Sequence, residues 1–155
     1  MTFETARFGK IDCEEDDLVE IPTGLLGFPE QRRFVIVEHK EGSPFQWMQS
    51  TEDPDLAFLV ICPDSFRNDY TPELPSTPAN ELKLTEETPM TVYVIVSIPQ
   101  GKPEEMTANL AGPIVINADT RMGMQVVIED ERWQTQHPIL SDLRAAASEL
   151  TAKAA

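Results

Sequence analysis

Short apolar runs separated by prolines and glycines make up most of the chain. The chain has 13 prolines, and a proline removes a backbone donor and clashes inside helices and central strands. Few intervals between prolines leave room for a helix. The runs richest in β-branched and aromatic side chains are residues 34–37, 56–61, 91–98, 114–116 and 125–128. Many short strands joined by proline and glycine turns predict an all-β sandwich or barrel with mostly antiparallel pairing.

The start and the middle of the chain extend this prediction. At the start we expect strands over residues 2–8, 10–13 and 18–21, with the acidic run at residues 14–17 as a turn. Residues 71–90 are polar and rich in proline, which predicts a long loop with one helical turn near residues 79–82.

The last segment changes character after Pro138. Ser141 is a suitable N-cap, and Asp142 would lie in the first helical turn. Apolar residues recur there at helical spacing, which predicts a short amphipathic C-terminal helix. These residues are Ile139, Leu140, Leu143, Ala146, Ala147 and Leu150. We therefore divide the chain into a β domain at residues 1–140 and a helical tail at residues 141–155. The tail either packs loosely on the β domain or docks a partner.

Length and composition favour one globular domain. With 155 residues, of which 41% are hydrophobic, the chain can bury a core without a disulfide or a metal. No apolar run reaches the ~20 residues of a membrane span. The first residues show no secretory signal, so we expect a cytoplasmic protein with Cys13 and Cys62 both reduced.

Net charge narrows the choice of partners. The chain carries −15, distributed as −5 over residues 1–50, −8 over residues 51–105 and −2 over residues 106–155. Such a surface repels phosphate backbones, which disfavours direct binding to nucleic acid or to an anionic membrane. It attracts a basic partner and speeds the encounter, unless the acidity serves solubility alone.

Motifs that carry catalysis are missing from the sequence. His39 follows a predicted strand and His137 precedes a proline, and neither has a nucleophile in a known arrangement beside it. The chain has no glycine-rich phosphate loop, and the acidic run at residues 14–17 lacks calcium-loop spacing. We therefore predict no enzyme, no cofactor and no metal. With 27 carboxylates, an enzyme based on a carboxylate pair stays open as an alternative.

Five segments, in order, resemble the FliW family of flagellar assembly factors. They are TGLLGFPE at residues 23–30, SPFQWMQSTEDPDLAFLVICP at residues 43–63, VYVIVSIP at residues 92–99, MTANLAGPIVIN at residues 106–117 and GMQVVI at residues 123–128. An HP pair follows at residues 137–138. The sequence NLAGP at residues 109–113 departs from the usual family pattern, and the alanine-rich tail from Ser141 lies outside the shared region.

The resemblance implies both a fold and a function. The fold would be a compact, mostly antiparallel, barrel-like β domain with little helix. The protein would bind newly made flagellin in the cytoplasm. It would also bind the translational regulator CsrA and relieve repression of flagellin mRNA, without competing directly for the RNA surface. We expect it to act as a monomer.

The most acidic third supplies the candidate contact surface. We expect the loop between the FQWM strand and the LAFLVI strand to bind the partner, because it is polar and turns tightly at Pro54. Its candidate residues are Gln49, Ser50, Thr51, Glu52, Asp53 and Asp55. Alternation places Trp47 on one face of the preceding strand and Met48 on the other, and we expect the Trp47 face to be core rather than an interface anchor.

Other positions that match the family are expected to hold turns and close the barrel. They are Gly27, Phe28, Asn109, Pro113, Asn117 and Gln125. Two functions from other classes stay open beside the binding module. One is a small β-barrel hydrolase or isomerase that uses paired carboxylates, and the other is a barrel that carries a small ligand.

Overall fold

The structure is a computed structural model that describes residues 2–38, 41–67, 69–70 and 74–144. Within these ranges the secondary structure is almost entirely short strands. The strands are β1 Thr2–Thr5, β2 Gly9–Asp12, β3 Leu18–Glu20, β4 Arg33–Glu38, β5 Phe45–Ser50, β6 Ala57–Ile61, β7 Met90–Ser97, β8 Thr107–Ala108, β9 Ile114–Asn117, β10 Gly123–Gln125 and β11 His137–Pro138. Helix α1 covers Ser76–Glu81, and single 3₁₀ turns cover Glu15–Asp17, Pro63–Ser65 and Pro103–Glu105.

One large sheet organises the domain. Its strands follow the order β10, β9, β7, β6, β5, β4, β3, with β8 paired to β7 and β11 paired to β8. All of these ladders are antiparallel, as is the separate β1–β2 hairpin. The prediction of a mostly antiparallel β domain is therefore confirmed.

The sheet curls until its two end strands meet. Glu20 at the end of β3 forms one isolated parallel bridge with Met122, just before β10. The Glu20 N–H donates to the Arg121 carbonyl at 3.0 Å. A single bridge is not a ladder, so the sheet is barrel-like without being closed.

Side-chain alternation gives the curled sheet two packed faces. The concave face carries an apolar core that includes Phe34, Met48 and Val60, all fully buried. The convex face carries a second core, which the segments after β6 and after β10 cover. At one end of the convex face the β1–β2 hairpin packs on Cys13, Leu18 and Val35.

Trp47 and Met48 show how both faces of β5 are used. Met48 is fully buried in the concave core. Trp47 is half-buried on the convex face, where Arg7 lies 4.2 Å above its ring and Phe8 meets it edge to face at 6.1 Å. The Trp47 face is therefore covered by the hairpin, and the more complete burial falls to the Met48 face.

Local predictions differ from the structure at a few places. The helical turn expected at residues 79–82 begins earlier, as helix α1. The strand expected at residues 125–128 is instead β10, which ends at Gln125, although Val126 and Ile128 still donate to the Pro113 and Ala111 carbonyls. The first strand is shorter than expected because residues 6–8 form the hairpin turn.

Helical structure is described at the start of the predicted tail, over residues 140–144. The remainder of the tail, residues 145–155, and His39 lie outside the described residues. Among the residues that are described, no helix combines the length and the apolarity needed to cross a membrane.

Candidate functional site

The loop that joins β5 to β6, residues 51–56, is built around a buried glutamine. We call this segment the acidic loop. Gln49, only 1% exposed, donates its side-chain N–H groups to the carbonyls of Ser50 at 2.9 Å and Leu56 at 3.0 Å. Longer contacts run to the carbonyls of Asp53 and Pro54, at 3.3 and 3.4 Å. One amide therefore gathers the inward carbonyls of the loop, which fixes its path.

Ser50 fixes the same loop from the other side. Its hydroxyl oxygen accepts the backbone N–H groups of Glu52 at 3.1 Å and Asp53 at 3.0 Å. The hydroxyl donates to Gln31 Oε1 at 2.6 Å. Ser50 is fully buried, so both Gln49 and Ser50 act inside the loop and do not present their side chains to a partner.

The other four candidate residues form the outside of the loop. Glu52 and Asp55 are exposed, while Thr51 and Asp53 are half-buried. The Asp53 carboxylate accepts the Asp55 N–H at 3.0 Å, which tightens the turn at Pro54. The acidic loop therefore holds three carboxylates on one ordered turn.

The acidic loop is braced by its neighbours in space. The Ala6 N–H of the β1–β2 hairpin donates to the Pro54 carbonyl at 2.9 Å. Glu52 Oε1 accepts the N–H groups of Arg32 at 3.1 Å and Arg33 at 3.2 Å. Between hairpin and loop lies a shallow cavity of about 410 Å³. Within the described part of the chain, the buried Gln49 Oε1 beside that cavity has no hydrogen-bond partner.

A second loop, residues 22–32, crosses the mouth of the concave face next to the acidic loop. Two leucines at its tip face opposite ways, with Leu25 2% exposed and Leu26 61% exposed. Phe28 is 40% exposed and meets Phe58 of β6 edge to face at 5.2 Å. Phe28 was expected to hold a turn and close the barrel. Its exposure, and that of Leu26, were missed because adjacent apolar residues in a loop carry no periodic signal.

Polar residues that match the family serve the turns, as predicted. Gln125 accepts the Leu26 N–H at 2.8 Å and donates to the Gly112 carbonyl at 3.0 Å. Asn117 accepts the Asp119 N–H at 3.0 Å and donates to the Leu82 carbonyl at 2.8 Å. These side chains cross-link loops that are far apart in the sequence.

The histidine and the two cysteines that the structure describes are used in packing. His137 Nε2 lies 2.8 Å from Asp142 Oδ2, and its ring stacks on Phe66 at 6.2 Å. This pair ties β11 to the helical residues that follow. Burial raises the pKa of both thiols, Cys13 and Cys62, so they are poor nucleophiles at neutral pH.

The acidic run near the N-terminus is used in local structure. The Glu14 N–H donates to Asp17 Oδ2 at 2.9 Å, which completes a capping box around the 3₁₀ turn Glu15–Asp17. Across the ranges described above, no three His, Cys, Asp or Glu side chains are grouped so that they could hold a metal ion.

Comparison with known proteins gives a consistent result. A model of the family described as FliW protein matches residues 2–139. The flagellar assembly factor FliW of Caldanaerobacter subterraneus subsp. tengcongensis is 40% identical over 149 residues, which cover 96% of this chain and 99% of that protein. The flagellar assembly factor FliW of Leptospira biflexa is 36% identical, with 96% and 97% covered.

A solved structure agrees with the sequence comparisons. The crystal structure of a flagellar assembly factor FliW superposes with a TM-score of 0.82 at 32% sequence identity. The match covers 90% of this chain and 97% of that chain. The likeness therefore extends over nearly the whole domain.

Proposed function

The chain belongs to the FliW protein family, and on that premise we propose that it is a flagellar assembly factor that acts by binding other proteins. The family model and the relatives span almost all of the described domain, including both loops of the candidate site. The relatives carry the name flagellar assembly factor. A role in building the flagellum is therefore the function that the comparisons support.

At finer detail, we propose two partners in the cytoplasm: newly made flagellin and the translational regulator CsrA. By binding CsrA, the protein relieves repression of flagellin mRNA. Flagellin and CsrA draw on the same supply of this protein, so a fall in free flagellin leaves more of it to bind CsrA. The resemblance of the five sequence segments is the basis for naming these two partners.

The observation that carries the proposal is the acidic loop. Buried side chains hold the loop in one conformation, and Glu52 and Asp55 are exposed on its outside. A pre-ordered loop loses little conformational entropy when it binds, which favours affinity. A regulator that binds RNA carries a basic surface, and the net charge of −15 steers the two proteins together.

We propose that the effect on RNA is indirect. The protein docks beside the RNA surface of CsrA and projects negative charge towards it. RNA then binds less tightly because its phosphates are repelled, which is a coupling between two sites rather than occupation of one.

We propose that the protein does this work without catalytic turnover. The raised thiol pKa values and the internal use of the His137–Asp142 pair support a binding role. Turnover with a bell-shaped pH profile would instead revive the carboxylate-pair enzyme.

Release of RNA tests this function. A fluorescent flagellin leader RNA is bound to CsrA, the protein is added, and anisotropy is followed. We expect the anisotropy to fall as the protein is added, until the protein saturates CsrA. Because the protein does not compete for the RNA surface, a higher concentration of the labelled RNA should restore the CsrA–RNA complex only partly. Unchanged anisotropy at concentrations well above that of CsrA would contradict the proposal.

A further inference from the structure

The turn at residues 24–28, which we call the apolar turn, exposes large hydrophobic side chains beside the acidic loop. Leu25 is packed in the core and is 2% exposed, whereas Leu26 is 61% and Phe28 40% exposed. Single exposed hydrophobics are ordinary on protein surfaces. Two on one short turn, next to a further apolar strip, are a stronger indication of an interaction site.

The apolar turn is held in one shape. The Phe28 N–H donates to the Leu25 carbonyl at 2.8 Å, and the Leu26 N–H donates to Gln125 Oε1 at 2.8 Å. Gly24 and Gly27 have φ of +69° and +86°, values that other residues adopt only with strain. Leu26 and Phe28 are therefore presented by a fixed backbone, so their docking costs little ordering entropy.

The apolar surface continues from the turn onto the sheet. Phe28 packs edge to face on Phe58 at 5.2 Å, and Phe58 is half-buried. Phe58 pairs with Met48, which pairs with Ile36 across β5, so the three side chains share the concave face. Ile36 is also half-buried. Leu26, Phe28, Phe58 and Ile36 form the apolar strip, which the fully buried Met48 interrupts between Phe58 and Ile36.

Carboxylates border this strip. The Ser50 hydroxyl bonds to Gln31, and Glu52 accepts the Arg32 N–H, so the segment after the apolar turn is joined to the acidic loop. Glu30 and Asp55 are exposed on the two segments. Glu38 lies two residues beyond Ile36 on the same face of β4 and is also exposed.

Basic side chains neutralise only part of the negative charge of this border. Arg33 is paired with Glu20 at 3.2 Å, and Arg32 is exposed in the same loop. Glu30, Glu38, Glu52 and Asp55 therefore outnumber the other described arginines of these segments and the adjoining hairpin, which are Arg32 and, beside Asp55, Arg7. The local charge is negative, as it is for the whole chain.

We propose that the apolar turn and the acidic loop form one docking surface for an amphipathic protein segment whose apolar side chains are flanked by lysine or arginine. This rests on the proposed function, because it specifies the chemistry of the segment that a protein partner would supply. The apolar side chains would cover Leu26, Phe28 and Phe58, and the basic ones would face the carboxylate border.

Charge selects this occupant over a second copy of the chain. Two copies facing each other would bring like-charged borders together, which costs free energy in a protein of net charge −15. A segment with basic flanks gains from the same charges. The apolar strip then contributes most of the affinity, and the carboxylate border speeds association and makes binding depend on salt.

Leu26 is the residue to change, because most of its side chain is outside the core. Two variants, Leu26→Ser and Leu26→Asp, are compared with Met90→Ser. Met90 is 47% exposed but lies at the start of β7, beside a different cavity with Cys62 and Leu74. Thermal unfolding followed by circular dichroism verifies that all three variants fold.

The variants are titrated with flagellin and with CsrA by calorimetry. We expect both Leu26 variants to weaken binding to at least one of these partners by about tenfold or more, as for a central apolar contact, while Met90→Ser matches the wild type. Unchanged affinity of both Leu26 variants for every partner that the wild type binds would overturn the docking surface and leave the proposed function intact.

A synthetic peptide distinguishes failure of the proposed function from failure of the docking surface. A leucine–lysine amphipathic peptide is titrated alongside a version in which serine replaces each leucine. If wild type binds neither flagellin nor CsrA, the proposed function fails, and the peptide then decides on the surface. The docking surface is supported if the peptide loses affinity when its leucines are replaced and also when Leu26 is changed. It is overturned if the peptide binds equally well after either change.

Discussion

Gln49 sets the shape of the acidic loop from inside the protein. Its buried amide gathers the loop carbonyls that point inward, at Ser50 and Leu56 most closely. A buried acceptor that loses its donor costs more than the bond itself contributes. The conformation of the candidate contact surface therefore depends on a residue that no partner touches.

The variant Gln49→Ala should lower the free energy of unfolding by about 2–4 kcal/mol, because it leaves a cavity and removes the side-chain donor that the loop carbonyls share. Urea unfolding followed by tryptophan fluorescence measures this. Gln46→Ala, on the same strand but half-buried, is the control and should cost less than about 1 kcal/mol. Equal losses in the two variants would contradict the internal role of Gln49.

Asp55 is the cleanest residue for testing the charge of the acidic loop. Glu52 is less suitable alone, because its carboxylate holds the Arg32 and Arg33 N–H groups. The double charge reversal of Glu52 and Asp53 to lysine should also weaken CsrA binding, but part of its effect would come from loss of loop structure.

We expect Asp55→Lys to weaken CsrA binding by about threefold to tenfold at low salt and by less at physiological salt, since screening removes exposed electrostatics. Calorimetry at two salt concentrations measures the change. Glu104→Lys makes the same charge change at an exposed position of another loop and should have a smaller effect. If the two variants behaved alike, net charge rather than the loop would account for binding.

At the scale of elements, the apolar turn depends on one glycine more than on any pattern of side chains. Gly24 has φ of +69°, and a Cβ placed there would lie 2.6 Å from the Pro29 backbone. Gly101 has a similar φ of +75° with open space around it. The two positions therefore separate backbone strain from a steric clash.

Gly24→Ala should destabilise the domain by about 2 kcal/mol or more, and Gly101→Ala by about 1 kcal/mol, because only the first adds a clash to the strain. Thermal or urea unfolding of the pair provides the measurement. A Gly24 variant no less stable than the Gly101 variant would show that the turn can move away from Pro29.

The elements also show what the sequence could and could not predict. The run at residues 114–116 reads as a buried strand because every position is β-branched, and it became β9. Strands β8 and β11 have two residues each, too few for any periodicity, and are defined only by pairing with each other and with β7. The Glu20–Met122 bridge joins residues about one hundred positions apart, which no local pattern encodes.

The candidate site was predictable to a similar extent. Its location in the acidic loop could be proposed from charge and from Pro54. The burial of Gln49 and Ser50 could not, because a polar residue at the end of a strand reads as surface until its partners are known. The choice of Leu25 for the core and Leu26 for the surface depends on the turn geometry that Gly24 and Gly27 impose.

At the scale of the whole molecule, the two cores bury the only two tyrosines of the chain. Burial raises the pKa of both Tyr70 and Tyr93 above the ordinary value of 10.0. The Tyr70 hydroxyl also donates to the Leu110 carbonyl at 2.6 Å. The native protein therefore holds these protons more tightly than the unfolded chain does.

This difference in tyrosine pKa between the native and unfolded states sets how the free energy of unfolding changes with pH. The stabilisation is complete below the unfolded pKa of about 10 and is lost as pH rises above it, because only the unfolded chain releases the protons readily. Absorbance at 295 nm should show tyrosinate in urea near pH 10 but not in the native protein. Tyr70→Phe should flatten the decline in stability. Native ionisation near pH 10 would contradict the burial of both rings.

The central claim, that this acidic β domain is a binding protein shared between two partners, is tested most directly by one calorimetric titration. The protein is titrated with CsrA from the same organism, first alone and then with flagellin already bound. We expect tight binding that prior flagellin abolishes. Binding to neither partner would contradict the account and return the enzyme and the ligand carrier to consideration.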